Sequence, residues 1–388
     1  MQVIVKKYHL DIDLSTLEVE LKSRGDGQLD VYDRLHKWSV DNIAVFWQEV
    51  INFCDIRFAV PPKNGILDES VTMDKVPKWC PGAQLNYAEN LLGRGDSDSP
   101  AIWFAREDYD ITNDVKCLTF GELRQRVQEY VAAMKLLGVS TGDAVAGYMP
   151  NSAECVIAML AATSLGCVWC STSPDFGPDA VLDRFQQVQP KVLFSIECVV
   201  YKSKRHSHLQ KLQTVAAGLP TLKRVVVIPY ATPKPIAQHL LDDIPNAMWL
   251  HDFIDSARQP DGSFAALTFT PVPFDQPLYV MFSSGTTGKP KCMVHSVGGT
   301  LLKHYEEHVL QNNMTEDDVL FFYTTCGWMM WNWLVSALAV GTSIVLFDGS
   351  PFEHGMNDIF DLADAVGMTA LGMGAAVYEY YEMKGLNP

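Results

Sequence analysis

Residues Ala144–Cys170 read AVAGYMPNSAECVIAMLAATSLGCVWC, and this run decides the fold class. Ala144–Met149 is a short apolar run of strand length, closed by Pro150. Ser152–Leu165 is apolar nearly all round over a helical length, which predicts a helix buried on both sides. Gly166 follows, a residue suited to the left-handed position after a helix because it has no Cβ to clash there. A second β-rich run begins at once, around Val168. Strand, helix, glycine, strand is the grammar of a βαβ unit.

The grammar repeats on both sides. Upstream, Phe120, Leu123, Val127, Val131 and Met134 fall three to four apart as one stripe of a helix that Gly138 closes. Downstream, Val340-Gly341-Thr342 and Val366-Gly367-Met368 carry the same punctuation. Lys191–Ser195, Arg224–Ile228 and Leu278–Phe282 are further strand candidates. The expectation is an α/β fold with mostly parallel sheets. Before this region, Val31–Phe58 is rich in aromatics and reads as helical, and Val60–Gly65 breaks it. Met1–Leu29 is charged and weakly patterned. Gly93–Pro100 has linker composition, so we expect an N-terminal extension over 1–95 and a larger domain over 96–388.

The chain has 388 residues, 48% of them hydrophobic, and 30 basic against 46 acidic side chains for a net charge of −16. Such a composition suits a cored globular chain and not a disordered one. The acidity argues against a general nucleic-acid or anionic-membrane surface, both of which want basic patches. A local phosphate site remains compatible with it. Nine cysteines are scattered through the chain. Cys167 and Cys170 have CxxC spacing, but no second pair accompanies them and their neighbours read as a buried strand. The apolar windows Cys155–Cys170 and Leu334–Phe347 are too short and too polar to span a bilayer. We therefore expect a soluble, cytoplasmic chain with reduced cysteines, acting on small molecules.

The strongest local signal is Ser283-Ser284-Gly285-Thr286-Thr287-Gly288-Lys289-Pro290-Lys291. It follows the strand candidate Leu278–Phe282 and precedes a run, His295–Gln311, that reads as a helix. Glycines let backbone N–H groups turn inward, hydroxyls donate hydrogen bonds, and lysines supply charge for phosphate oxygens. It is not a G-x-x-x-x-G-K-[ST] loop, since two residues separate Gly285 from Gly288 and Pro290 stands where Ser or Thr would bind magnesium.

These nine residues resemble the phosphate loop of the adenylate-forming superfamily. Lys291–Ser296, Gly298-Gly299-Thr300, Gly327–Trp333, Leu85–Leu92 and Ser171–Gly177 narrow the resemblance to its acetoacetyl-CoA synthetase branch. The resemblance implies a two-step ligase: a carboxylate attacks the α-phosphate of ATP·Mg²⁺, and the CoA thiol then displaces AMP. Ser283, Ser284, Gly285, Thr286, Thr287, Gly288 and Lys289 would hold the β- and γ-phosphates, with Lys291 in support. Trp328, Met329, Met330 and Trp331 would line a tight slot for a short acid, Met329 and Trp331 against the acyl group. Periodicity alone favours Trp328, Trp331 and Trp333 as core residues of a buried helix. Lys202, Lys204 and Arg205 sit where relatives place basic residues against CoA phosphates, though a solvated turn has the same composition. Asp175 reads as a turn residue, and Glu306 and Glu307 as the polar face of a helix. His304 and His308 are four apart, but no third metal ligand is evident, so no metal site is expected.

The sequence departs from the family in two ways. Ala376, in Gly372-Met373-Gly374-Ala375-Ala376, stands where the related pattern has a lysine. The chain also stops before the family's C-terminal elements, including the lysine that assists adenylation. The expectation is a partial large domain without activity. Acetyl- or propionyl-CoA synthetase and a catalytically silent nucleotide-binding chain are the alternatives.

Overall fold

The structure is a computed structural model that describes residues 27–111, 113–232, 237–283, 288–352 and 357–386. Two mostly parallel sheets organise it. The seven-stranded sheet runs in the order Ala247–Trp249, Arg224–Ile228, Val192–Ile196, Ala144–Tyr148, Val168–Thr172, Pro277–Ser283, Lys291–Ser296. All its neighbours are parallel except the last pair. The five-stranded sheet runs Ala370–Gly372, Val319–Phe322, Ser343–Asp348, Pro100–Arg106, Lys116–Thr119, and only its last pair is antiparallel.

Side chains alternate between two cores along each strand of the larger sheet. Val192 and Phe194 enter one core while Leu193 enters the other; Val226 and Ile228 oppose Val225 and Val227 in the same way. Helices cover both faces, as parallel strands buried on two sides require. Phe120–Leu136 and Ala153–Ser164 lie on one face, Pro178–Val188 and Leu209–Ala217 on the other. Ala153–Ser164 shares its core with Ile102, Ile344 and Leu346 of the smaller sheet. It is therefore sandwiched between the sheets, which is why the sequence made it apolar all round. Thr119 and Glu122 form a capping box at the start of Phe120–Leu136. Gly138, Gly166, Gly341 and Gly367 all have positive φ at helix ends. At Gly166 a Cβ would also meet the Val272 side chain at 2.7 Å.

The start of the chain, 1–26, lies outside the described residues. Two helices, Gly27–Asp41 and Ile43–Phe53, stand where the aromatic-rich run predicts helix. The segment with linker composition is a pinned turn. Arg57 donates to Gly93 O (2.8 Å), Arg124 to Leu92 O (3.0 Å) and Ser97 Oγ (2.9 Å), and Phe120 N to Ser99 O (2.9 Å). Glycine, serine and aspartate make turns and linkers alike; only arginines from distant segments distinguish the two. All nine cysteines are free, and Cys167 and Cys170 are buried in or beside Val168–Thr172. Among the described residues no helix is long and apolar enough to cross a membrane.

Candidate functional site

In an open parallel sheet, a crevice forms at the carboxyl ends of two strands where the chain order reverses. In the larger sheet the chain leaves Ala144–Tyr148 for Val168–Thr172 on one side, then returns to Val192–Ile196 on the other. In the smaller sheet Val319–Phe322 has Ser343–Asp348 on one side and Ala370–Gly372 on the other. The two carboxyl edges meet. Asn151, just past Tyr148, donates from Nδ2 to Thr324 O (3.3 Å) and Phe347 O (3.4 Å). Ser171 Oγ donates to Cys326 O (2.7 Å), and Cys326 Sγ to Met149 O (3.0 Å).

The segment joining these edges carries the candidate acyl residues. Gly327 lies over Ser171–Ser173, where a Cβ would sit 3.5 Å from Ser171 O. Trp328 starts the helix Met329–Ser336 and is 63% exposed. Met329 and Met330 are half-buried. Trp331 is fully buried, its indole Nε1 donating to Asn151 Oδ1 at 2.9 Å. The core role that periodicity alone suggested is thus the one Trp331 occupies, behind the two methionines. Trp333 packs against His308, ring centroids 4.6 Å apart.

The loop with the phosphate-binding composition differs from expectation in its setting. Lys291–Ser296 is a strand, antiparallel to Pro277–Ser283, with Ser283 opposite Lys291. The loop therefore closes a β-hairpin and does not open a helix; the helix begins at Val297, where Ser296 Oγ accepts from Gly299 N. The apolar stripe of Val297, Leu301 and Tyr305 is a real helical signal, extended backwards too far over a short exposed strand. A bound anion here would rely on loop N–H groups, hydroxyls and lysines, without a helix N-terminus. Ser284, Gly285, Thr286 and Thr287 lie outside the described residues. Gly288 has φ +142 with nothing within 4 Å of a built Cβ, and Lys289 and Lys291 are exposed. Neither lysine has a carboxylate partner among the described residues. Pro178–Val188 supports the hairpin: Gln187 Nε2 donates to Pro290 O (3.0 Å), and the Arg184 guanidinium lies 5.8 Å from the Phe282 ring centroid.

Lys202, Lys204 and Arg205 form an exposed tip on the hairpin Cys198–Tyr201 and Lys204–Ser207. Lys202 and Ser203 take positive φ at its turn. The buried Glu107 carboxylate fixes that tip, accepting from Ser203 N and Ser350 N, both at 2.8 Å. Asp175 is exposed at a turn closed by Phe176 N donating to Ser173 O. Ala376 is exposed in the first turn of Ala375–Met383.

His304 and His308 are both buried, and desolvation holds them down at about 3 and about 4, neutral at ordinary pH. His308 Nε2 lies 3.0 Å from Trp333 O and 2.9 Å from Ser336 Oγ. Glu306 is buried and paired with Lys303 at 2.7 Å, which corrects its reading as part of a solvated face. No cluster of three metal-ligating side chains occurs among the described residues.

Sequence reasoning passed over Asn151, Ser171 and Asp348. Asp348 ends its strand where the sheets meet; burial pushes it up to about 7 although Tyr230 Oη donates to it at 2.8 Å. Asn151 is flanked by Pro150 and the helix-capping Ser152, the one local hint of a fixed side chain at a strand end. A cleft of about 850 Å³ lies elsewhere, walled by Trp47, Trp79, Phe274 and Leu302. None of the described phosphate-loop or acyl candidates lines it.

The family description "AMP-binding enzyme" matches residues 94–382. The chain belongs to the AMP-binding enzyme family. A second match, to the N-terminus of acetyl-coenzyme A synthetase, covers residues 32–91. The chain is similar to acetoacetyl-CoA synthetase of Rattus norvegicus, 51% identical over 92% of this chain and 52% of the relative. The acetoacetyl-coenzyme A synthetase of Rhizobium meliloti is 39% identical over 92% of this chain and 52% of its own. A solved acetoacetyl-CoA synthetase from Streptomyces lividans superposes with TM-score 0.82 at 37% identity, covering 95% of this chain and 54% of that one. The chain spans about half the length of the curated relatives it matches. Helix Met329–Ser336 lies against the strand that leads into the polar loop, Asn332 Nδ2 standing 3.4 Å from Met281 Sδ.

Proposed function

We propose that this chain binds ATP and a short 3-oxo acid for ligation of acetoacetate to CoA. In the first step a carboxylate oxygen attacks the α-phosphorus, forming an acyl-adenylate and releasing diphosphate. In the second the CoA sulfur attacks the acyl carbon and AMP leaves. No protein nucleophile takes part, so positioning and charge neutralisation must carry the rate. Ser283 through Lys289 grip the β- and γ-phosphates, with Lys291 in support. Magnesium arrives bound to the triphosphate. Trp328, Met329 and Met330 face the acid, with Trp331 as the wall behind them. Lys202, Lys204 and Arg205 meet the CoA phosphates, and residues 1–95 act as an extension of the large domain over 96–388.

What supports this reading is that the methionine–tryptophan helix packs against the end of the strand that leads into the cationic hairpin connection, Asn332 Nδ2 lying 3.4 Å from Met281 Sδ. Titration calorimetry with ATP·Mg²⁺, then with acetoacetate, tests it. Saturable binding of both supports the ligase, and absence of ATP binding refutes it. Tighter binding of acetate than acetoacetate moves the assignment to an acetyl- or propionyl-CoA synthetase. Binding without diphosphate release fits both a catalytically silent nucleotide-binding chain and the inactive partial domain that the sequence reading expects.

A further inference from the structure

We propose that Asn151 is a positioning residue for acid recognition, acting through Trp331. This rests on the ligase reading above. A carboxamide offers two N–H donors and an acceptor oxygen. Asn151 spends both donations on carbonyls at the carboxyl edge of the smaller sheet, Thr324 O and Phe347 O. Its oxygen takes the indole N–H of Trp331. The side chain is 3% exposed, and its backbone is held between Pro150 and the Ser152 cap of Ala153–Ser164. One side chain thus ties the larger sheet, the smaller sheet and the acyl helix together.

Two further bonds suspend the same segment: Ser171 on Cys326 O and Cys326 on Met149 O. Those bonds set the height of residues 324–327 above the strand ends. Of these residues only Asn151 bonds the Trp331 side chain, and that bond fixes the rotation of the buried indole. An aliphatic residue of the same size would remove the bonds to Thr324 O and Phe347 O and leave the buried Trp331 indole N–H without this acceptor. Aspartate could donate to neither carbonyl. The phosphate hairpin has separate supports, Gln187 and Arg184, so disturbing Asn151 should reach the acid and spare the nucleotide.

The test uses the 388-residue chain and the variants Asn151→Leu, Trp331→Phe and the two combined. Dissociation constants for acetoacetate and for ATP are measured separately, alongside unfolding in urea. Each single variant is expected to weaken acetoacetate about tenfold, and the double variant no more than either, because one bond is broken in all three. ATP affinity should stay within about twofold of the parent. Additive losses, or equal losses for acid and nucleotide, overturn the positioning role while leaving the ligase reading intact. Failure of the unaltered chain to bind acetoacetate overturns the ligase reading, and the positioning role falls with it. A fall in urea midpoint without change in acid affinity identifies Asn151 as merely structural, and also overturns the proposal.

Discussion

The hairpin loop at Ser283–Lys291 and the helix entry at Gly327–Trp333 form two sides of the same proposed site, yet they are built by opposite means. The loop joins two antiparallel strands, Lys289 and Lys291 are exposed, and its chemistry lies in residue type: glycines, hydroxyls and lysines. The helix entry is bound into the core by Ser171, Asn151 and Met149, and its chemistry lies in which side of each tryptophan is turned inward. Trp328 and Trp331 are three residues apart, and one is 63% exposed while the other is wholly buried. Exposed polar function is carried by composition, and a shaped apolar wall is carried by packing.

That contrast makes predictions of graded size. Trp331→Ala should remove a fully buried ring and its hydrogen bond, lowering unfolding free energy by about 3–5 kcal/mol, read from urea denaturation. Lys289→Ala should leave the urea midpoint unchanged and weaken ATP about tenfold or more in calorimetry, since a charge-assisted phosphate contact contributes about 1.5–3 kcal/mol. If Lys289→Ala instead destabilised the fold and Trp331→Ala did not, the division of labour would be reversed.

A third prediction concerns pH. Burial holds His208, His304 and His308 at about 3, about 3 and about 4 in the folded chain, against 6.5 in the unfolded one. Below 6.5 the unfolded state takes up protons the folded state refuses, so stability is lost as pH falls from there toward the folded values. Asp348, pushed up from 3.8 to about 7, opposes this: its contribution is full below 3.8 and is lost as pH rises through 7. Three groups oppose one between pH 4 and 6.5, so the melting temperature should fall on acidification from pH 7 to 5. His308→Gln, behind the acyl helix, should flatten that slope. An unchanged slope would place the pH sensitivity elsewhere. The smallest effect should come from Lys202→Ala on the exposed hairpin: a loss of CoA affinity of about two- to fivefold at low salt that vanishes as salt is raised. A salt-independent loss would mean a contact other than phosphate charge.

The fold was largely legible. The strand–helix–glycine period through Ala144–Cys170 required parallel strands because a helix apolar all round must lie between two layers, and Ala153–Ser164 does. The strand Lys291–Ser296 was not read because an exposed edge strand carries no strong alternation, and the helix was started two residues early, at His295, because the stripe beginning at Val297 invites extension backwards. Composition marked Gly93–Pro100 as a connecting segment but not that it is held as an ordered turn, since the arginines that pin it, Arg57 and Arg124, come from distant segments. Of the site, the loop and the acyl segment were visible as unusual residue densities. Asn151 and Asp348 were not, since each is a single ordinary residue at a strand end.

What the chain's own order of residues determined was the set of strands and helices, the left-handed glycine stops and the chemical character of the loop. These follow from periodicity and backbone sterics, which act within a few residues. Tertiary structure alone decided that two strand-end crevices face each other and that Trp331 is sealed inside while Trp328 is not. It also drove His304, His308 and Asp348 toward neutrality. Each of these depends on contacts between segments far apart in sequence, and on the loss of water around groups whose neighbours no local pattern records.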